Sequence, residues 1–267
     1  MSEDDGLVAR LRAAGCVYAE DEAALLREAA AGAPDPDAEL ERLVVARAAG
    51  RPLEHVLGWA ELDGHRFAVD DGVFVPRRRS TLLVDLAESA APEGATVLDL
   101  CCGSGALGAA LAARRPDVVV HAADLDPAAV ACARRNLPAE RVHEGDLFDA
   151  LPADLRGRID VVVLNAPYVP HDELVTMPAE ARDHEHHLSL DGGSDGLDVH
   201  RRVAAAASDW LAPGGLLVTE AAPVQIPTLC ALLEDAGLAA EPVEEPRYDA
   251  TGVAAISPTP RRRPRRR

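Results

Sequence analysis

The sequence contains no lysine, so all 27 of its basic residues are arginine. Aromatic residues make up only 3%, which excludes a core built on Phe, Tyr and Trp. With 48% hydrophobic residues in total, the interior has to be assembled mainly from Ala, Val and Leu. The missing lysine and the excess of alanine read as a GC-rich coding bias more than a functional demand. No apolar run approaches the length that spans a membrane. The opening Met-Ser-Glu-Asp-Asp is acidic, unlike the positive start of a signal peptide. Cys101 and Cys102 are adjacent, while Cys16, Cys132 and Cys230 are scattered. That spacing is neither a disulfide framework nor a zinc-ligand pattern. A soluble, cytoplasmic protein with no bound metal and no membrane association is expected.

What is abundant is negative charge. The net charge is −18, from 45 acidic and 27 basic residues. Six of those arginines crowd into the last seven positions, 261–267, so the body is more acidic still. A body of this sign repels phosphate backbones, and direct binding to duplex nucleic acid is not expected. The Arg-rich tail reads as a solvated, disordered end.

The first 55 residues read as a small helical domain. Ser2 with Asp5 resembles a capping box, and Gly15 ends that helix. A second helix covers residues 18–31. Asp35-Pro36 opens a third as cap and first-turn proline, with Gly50 at its end. Residues 56–79 form a connector in which Phe67–Val69 and Val73–Val75 flank Asp70-Asp71-Gly72 as a short hairpin. From 80 to 260 strands alternate with helices. Strands are predicted at 96–100, 118–124, 141–145, 159–164 and 216–219, with two weaker ones near 238–243 and 252–257. This is an α/β, doubly wound Rossmann-like sheet with its ligand sites at the carboxyl ends of the strands.

Gly103-Ser104-Gly105-Ala-Leu-Gly108 lies between the first strand and its helix. Asp124 ends the next strand, where its carboxylate can accept from both hydroxyls of a ribose. Nicotinamide dinucleotides and S-adenosylmethionine share this geometry. Asp99, just before the loop, favours the second, because a carboxylate there suits a cationic aminoacyl end and repels a pyrophosphate. Asp146, followed by Leu147 after the third strand, is placed to accept from an adenine amino group. Cys101 and Cys102 complete the loop that would hold the cofactor.

Asn165-Ala166-Pro167-Tyr168 comes directly after the fourth strand. It resembles the Asn-Pro-Pro-Tyr signature of methyltransferases acting on planar nitrogens. Phe74-Val-Pro76-Arg77, the 99–105 loop and Leu190-Asp-Gly-Gly-Ser-Asp-Gly-Leu197 extend the likeness to the release-factor glutamine methyltransferases, the HemK/PrmC family. The resemblance implies a class I methyltransferase sheet, S-adenosylmethionine as cofactor and a protein substrate such as a peptide-chain release factor. Asn165, Ala166, Pro167 and Tyr168 would then be catalytic, with Asn165 also beside the cofactor. The Asn165 side-chain oxygen and the Ala166 carbonyl would accept the two N–H bonds of a glutamine amide, and Tyr168 would pack on its plane. The chain departs from the family where Ala166 replaces a proline, Cys101 replaces a glycine, and Arg78 and Arg79 replace a proline and an acid.

Other readings stay open. The acceptor can be a nucleobase amino group or a small molecule, or the chain can bind the cofactor without turning it over. Asp183-His184-Glu185-His186-His187 reads as a substrate-facing loop rather than a metal site. His171 and His200 read as surface or capping residues.

Overall fold

The computed structural model describes residues 3–259; the Ser2 cap and the 261–267 tail lie outside them. Helices α1 (Glu3–Ala13), α2 (Ala19–Ala30), α3 (Pro36–Ala48) and α4 (Leu53–Leu57) come first. The side chain of Asp35 accepts from the Ala38 N–H at 3.1 Å and caps α3, with Pro36 in its first turn. Leu11, Leu26, Leu43 and Val44 form a separate small core with Val56 of α4. Inside it the buried Arg47 pairs with Glu22, Nε to Oε2 at 2.6 Å.

The connector holds a hairpin, but not at the predicted place. Strands β1 (Trp59–Leu62) and β2 (His65–Ala68) pair around Asp63-Gly64. Asp63 and Gly64 both have positive φ, as a tight two-residue turn requires. The segment around Asp70-Asp71-Gly72 runs on without closing a hairpin. Val69, Val73 and Val75 pack instead on Ala129 and Cys132.

After α5 (Thr81–Ala90) the chain alternates: β3 (Thr96–Leu100), α6 (Ala106–Arg114), β4 (Val119–Asp124), α7 (Pro127–Asn136), β5 (Val142–Glu144), β6 (Ile159–Leu164). A short α8 (Ala179–His184) precedes α9 (Asp198–Trp210), β7 (Leu211–Glu220), α10 (Ile226–Asp235), β8 (Ala239–Glu245) and β9 (Ala250–Ile256). The sheet order is β5-β4-β3-β6-β7-β9-β8. The first five of these strands are parallel. Only β9 is reversed: it runs antiparallel between β7 and β8, so β8 again points the same way as the first five. The short turn after β8 leaves no room for a crossover helix, so the chain must reverse.

Both faces of the sheet are covered, and the alternation along the strands shows it. Val97, Val161 and Val163 join the core under α5 and α6, while Leu98, Leu100, Val162 and Leu164 join the one under α9 and α10. Strands buried on both sides read as continuous apolar runs, as these do. The scarce aromatics are concentrated: Phe148 stacks on Trp210 with ring centroids 5.6 Å apart. Gly108 lets α6 sit close to the sheet, since a Cβ there would lie 2.9 Å from Val120 and 3.1 Å from Asp99 Oδ2.

Candidate active site

One cavity of about 330 Å³ opens at the carboxyl ends of β3, β4 and β6. Its walls include Cys101, Cys102, Gly103, Ser104, Asp124, Asp146, Leu147, Asn165, Ala166, Pro167 and Tyr168. The two groups of residues selected from the sequence, loop and motif, therefore face the same space. Asp99 and Gly105 are not among the lining residues. Gly105 sits behind the loop, against Ala133 and Leu137 of the next helix and its end.

Asp99 is a correction. Its carboxylate is buried beneath the loop, where Oδ2 accepts from the Gly108 N–H at 2.8 Å and Oδ1 has no partner among the described residues. It supports the start of α6 rather than facing a ligand. Burial raises this carboxyl to about 7; Asp124 adds to the effect and the Gly108 N–H opposes it. An unfolded aspartate titrates near pH 4, so the proton is held more tightly in the folded state. The group's contribution to stability is then full below about pH 4 and is lost as pH rises through about 7. Asp99→Asn keeps an acceptor for Gly108 and cannot ionise. Relative to the unsubstituted chain, its unfolding free energy should gain on the order of 2 kcal/mol between about pH 5 and about pH 8. Urea unfolding at both pH values measures this, and parallel profiles would contradict it.

The loop is shaped by its backbone. Cys101 has φ +58°, a left-handed conformation that a non-glycine residue adopts at a cost of about 1 kcal/mol. Burial pushes both the Cys101 and Cys102 thiols up, so they stay protonated. Asp124 fixes the loop from below: Oδ2 accepts from the Gly103 N–H at 2.8 Å and Oδ1 from the Asp126 N–H at 2.9 Å. Each carboxylate oxygen has a second lone pair, so capacity remains toward the cavity. Asp126 caps α7 through the Ala128 N–H and also meets His186. Asp146 is half-exposed, and Oδ2 accepts from Arg202 of α9 at 2.6 Å. Arg202 also lines the cavity, and nothing in its sequence surroundings singles it out.

At the motif the decisive contacts come from far along the chain. Asn165 Nδ2 donates to Ser80 Oγ at 3.2 Å, and Ser80 Oγ donates to Glu220 Oε2 at 2.7 Å. The other oxygen of Glu220 accepts from Tyr168 OH at 2.8 Å and from Arg79 Nε at 2.6 Å. Arg79 also donates to Tyr168 OH at 2.6 Å. Burial and the neighbouring Glu220 hold the Tyr168 phenol well above its usual range. Among the described residues, neither Asn165 Oδ1 nor the Ala166 carbonyl has a donor. The Ala166 methyl is buried in the α9-side core, where the small side chain fits.

The glycine segment explains itself against this motif. Gln225 Nε2 donates to the Tyr168 carbonyl at 2.8 Å and to the Asp195 carbonyl at 2.9 Å. A Cβ on Gly196, whose φ is +77°, would lie 2.2 Å from the Tyr168 carbonyl oxygen. Segment 190–197 is thus a close backing for the motif. The loop before it packs in the same way. Glu185 is buried against Arg77, 2.5 Å apart, and His171 Nδ1 meets Asp191 at 2.8 Å. His200 is a further correction: it is buried under β7, with Nε2 at 3.1 Å from Thr219 Oγ1, and burial lowers it to about 4.

No helix among the described residues is long and apolar enough to cross a membrane. Residues 65–183 match the methyltransferase small domain family. A release factor glutamine methyltransferase from Geobacter sulfurreducens is 38% identical over 210 residues, 76% of this chain and 72% of that protein. One from Deinococcus radiodurans is 37% identical over 260 residues, 91% of this chain and 92% of that protein. A solved structure of a 16S rRNA methyltransferase from T. thermophilus in complex with AdoMet and guanosine is 25% identical, with a TM-score of 0.50. It covers 74% of this chain, which covers 49% of it. The sheet is that of a class I methyltransferase, and the chain belongs to the release factor glutamine methyltransferase family.

Proposed function

We propose that this chain transfers a methyl group from S-adenosylmethionine to the side-chain amide nitrogen of a glutamine in a peptide-chain release factor. The observation that carries the reading is the pair of acceptors, Asn165 Oδ1 and the Ala166 carbonyl, unengaged among the described residues and on the wall of one cavity with the glycine loop and Asp124. The cofactor fits the residues present: Asp124 and the loop would hold its ribose, Asp146 and Leu147 its adenine side. It supplies an electrophilic methyl on a sulfonium.

The remaining chemistry belongs to the protein. An amide nitrogen is a weak nucleophile because its lone pair is delocalised into the carbonyl. Two acceptors that take both N–H bonds fix the nitrogen, favour its pyramidal form and aim the lone pair. Orientation of this kind contributes several kcal/mol to lowering a barrier. Tyr168, held by Glu220 and Arg79, supplies a flat wall for the amide plane. No general base is required, because the methylated nitrogen is acidic enough to lose its proton to water.

The helical core of α1 to α4 supports residues 1–55 as a separate domain, joined through 56–79 to the methyltransferase domain of 80–260. A cytoplasmic setting accords with the proposed substrate. Incubation of the purified chain with methyl-labelled cofactor and a purified release factor tests the reading. Mass spectrometry should find the label on a glutamine. An unlabelled release factor, with a competent control enzyme labelling the same sample, would overturn it. Label appearing on RNA instead would favour a nucleobase acceptor.

A further inference from the structure

We propose that Ser80 and Glu220 are positioning residues that set which way round the Asn165 amide sits. The inference rests on the function proposed above and adds a device to it. An asparagine amide can turn its oxygen or its NH₂ toward a ligand, and only the oxygen can accept a substrate N–H. What lies behind the amide decides between the two.

The deciding chain has three links. Glu220 is buried at the end of β7 and is paired with Arg79 at 2.6 Å, so as a carboxylate it only accepts. Ser80 is fully buried, and its hydroxyl has one proton. Glu220 Oε2, 2.7 Å away, takes that proton. Ser80 Oγ is then left with lone pairs for Asn165, 3.2 Å away, and the group that satisfies them is NH₂. The Asn165 oxygen is forced to the opposite side, away from Ser80. Reversing the amide would set two acceptors, Oδ1 and Oγ, against each other in a buried place, which is unfavourable by roughly the strength of a lost hydrogen bond.

Glu220 does a second thing with its other oxygen. Oε1 accepts from Tyr168 OH at 2.8 Å. One carboxylate therefore reaches both ends of the motif, Asn165 through Ser80 and Tyr168 directly. The rotamer of the ring and the orientation of the amide are set together, by residues that themselves stand 140 positions apart in the chain.

Three full-length variants test this. Ser80→Ala should lower kcat on the release factor about tenfold, with KM and adenosylhomocysteine affinity within about twofold. Ser80→Thr keeps the hydroxyl and should recover most of that loss. Glu220→Gln can donate to Ser80 and releases its proton toward Asn165, so it should lose at least as much as Ser80→Ala. A kcat unchanged in Ser80→Ala, a loss confined to KM, or no recovery in Ser80→Thr would overturn the proposal. An unsubstituted chain that leaves the release factor unlabelled would fail the function reading instead. The positioning claim is then decided by NMR of the Asn165 side-chain NH₂. A contact to the Ser80 methylene that disappears in Glu220→Gln supports it, and its absence in the unsubstituted chain overturns it.

Discussion

Asn165→Ala is expected to lower kcat for glutamine methylation by about 10²–10³-fold, the loss seen when one preorganised polar partner is taken from a reacting centre. The substitution removes Oδ1, an acceptor with no partner among the described residues, from a wall of the cavity. It also frees Ser80, whose hydroxyl keeps its bond to Glu220, so the fold should be little affected. Asn165 stands next to the cofactor loop as well as the acceptor space, and affinity for adenosylhomocysteine should change by less than about tenfold. Most of the effect falls on the chemical step because a fixed nitrogen matters more in the transition state than in the bound ground state. Single-turnover kinetics alongside calorimetric binding separates the two. A variant that turns over at near the original rate would remove Asn165 from the mechanism.

Asp124→Ala should weaken adenosylhomocysteine binding about 100-fold. Two losses combine in that number: charge-assisted bonds to a ribose, and the two bonds that Asp124 makes to the Gly103 and Asp126 amides. The second loss loosens the loop that the ligand has to meet. Burial holds the Asp124 carboxyl above its usual range while both amide contacts pull it down, so the ionised form depends on those amides. Asp146→Ala is the informative comparison. Asp146 is half-exposed and already paired with Arg202, and its removal should weaken binding less than about tenfold. Isothermal calorimetry on both variants decides it; equal losses would mean that Asp124 does not hold the ribose.

Most of the sheet is legible in the sequence because its strands are buried on both faces. Runs such as Ile159–Leu164 have one reading, and the glycine loop announces itself between strand and helix. The hairpin is misplaced by sequence because the connector contains two Asp-Gly turns, Asp63-Gly64 and Asp71-Gly72. Only tertiary packing distinguishes them: Val73 and Val75 are held by Cys132 and Ala129 of a helix. The antiparallel end of the sheet is hidden for a similar reason, since the direction of a strand is not written in its apolar pattern.

At the site, polar residues at strand ends stand out in the sequence, whereas contacts that cross between strands do not. Asp124 and Asn165 are of the first kind. Glu220 carries the same signal at the end of β7, yet its place in the motif emerges only from the fold. Ser80, Arg79 and Gln225 acquire meaning only through distant contacts, such as Gln225–Tyr168, 57 residues apart, and Arg79–Glu220, 141 apart. Asp99 shows the opposite failure. Its position suggests a ligand contact, but a residue facing inward from a strand meets the helix above it first.

The antiparallel strand has a consequence for how the molecule is made. During synthesis β7 is complete when Glu220 leaves the ribosome, but its outer edge pairs with β9, and Glu220 lies opposite Gly252. That partner is translated about thirty residues later, with α10 and β8 between. Until then the carboxylate that accepts from Ser80 and Tyr168 stands on an open sheet edge. A growing chain can bury its glycine loop early, yet the residues proposed to act on the substrate are enclosed only once β9 has paired with β7.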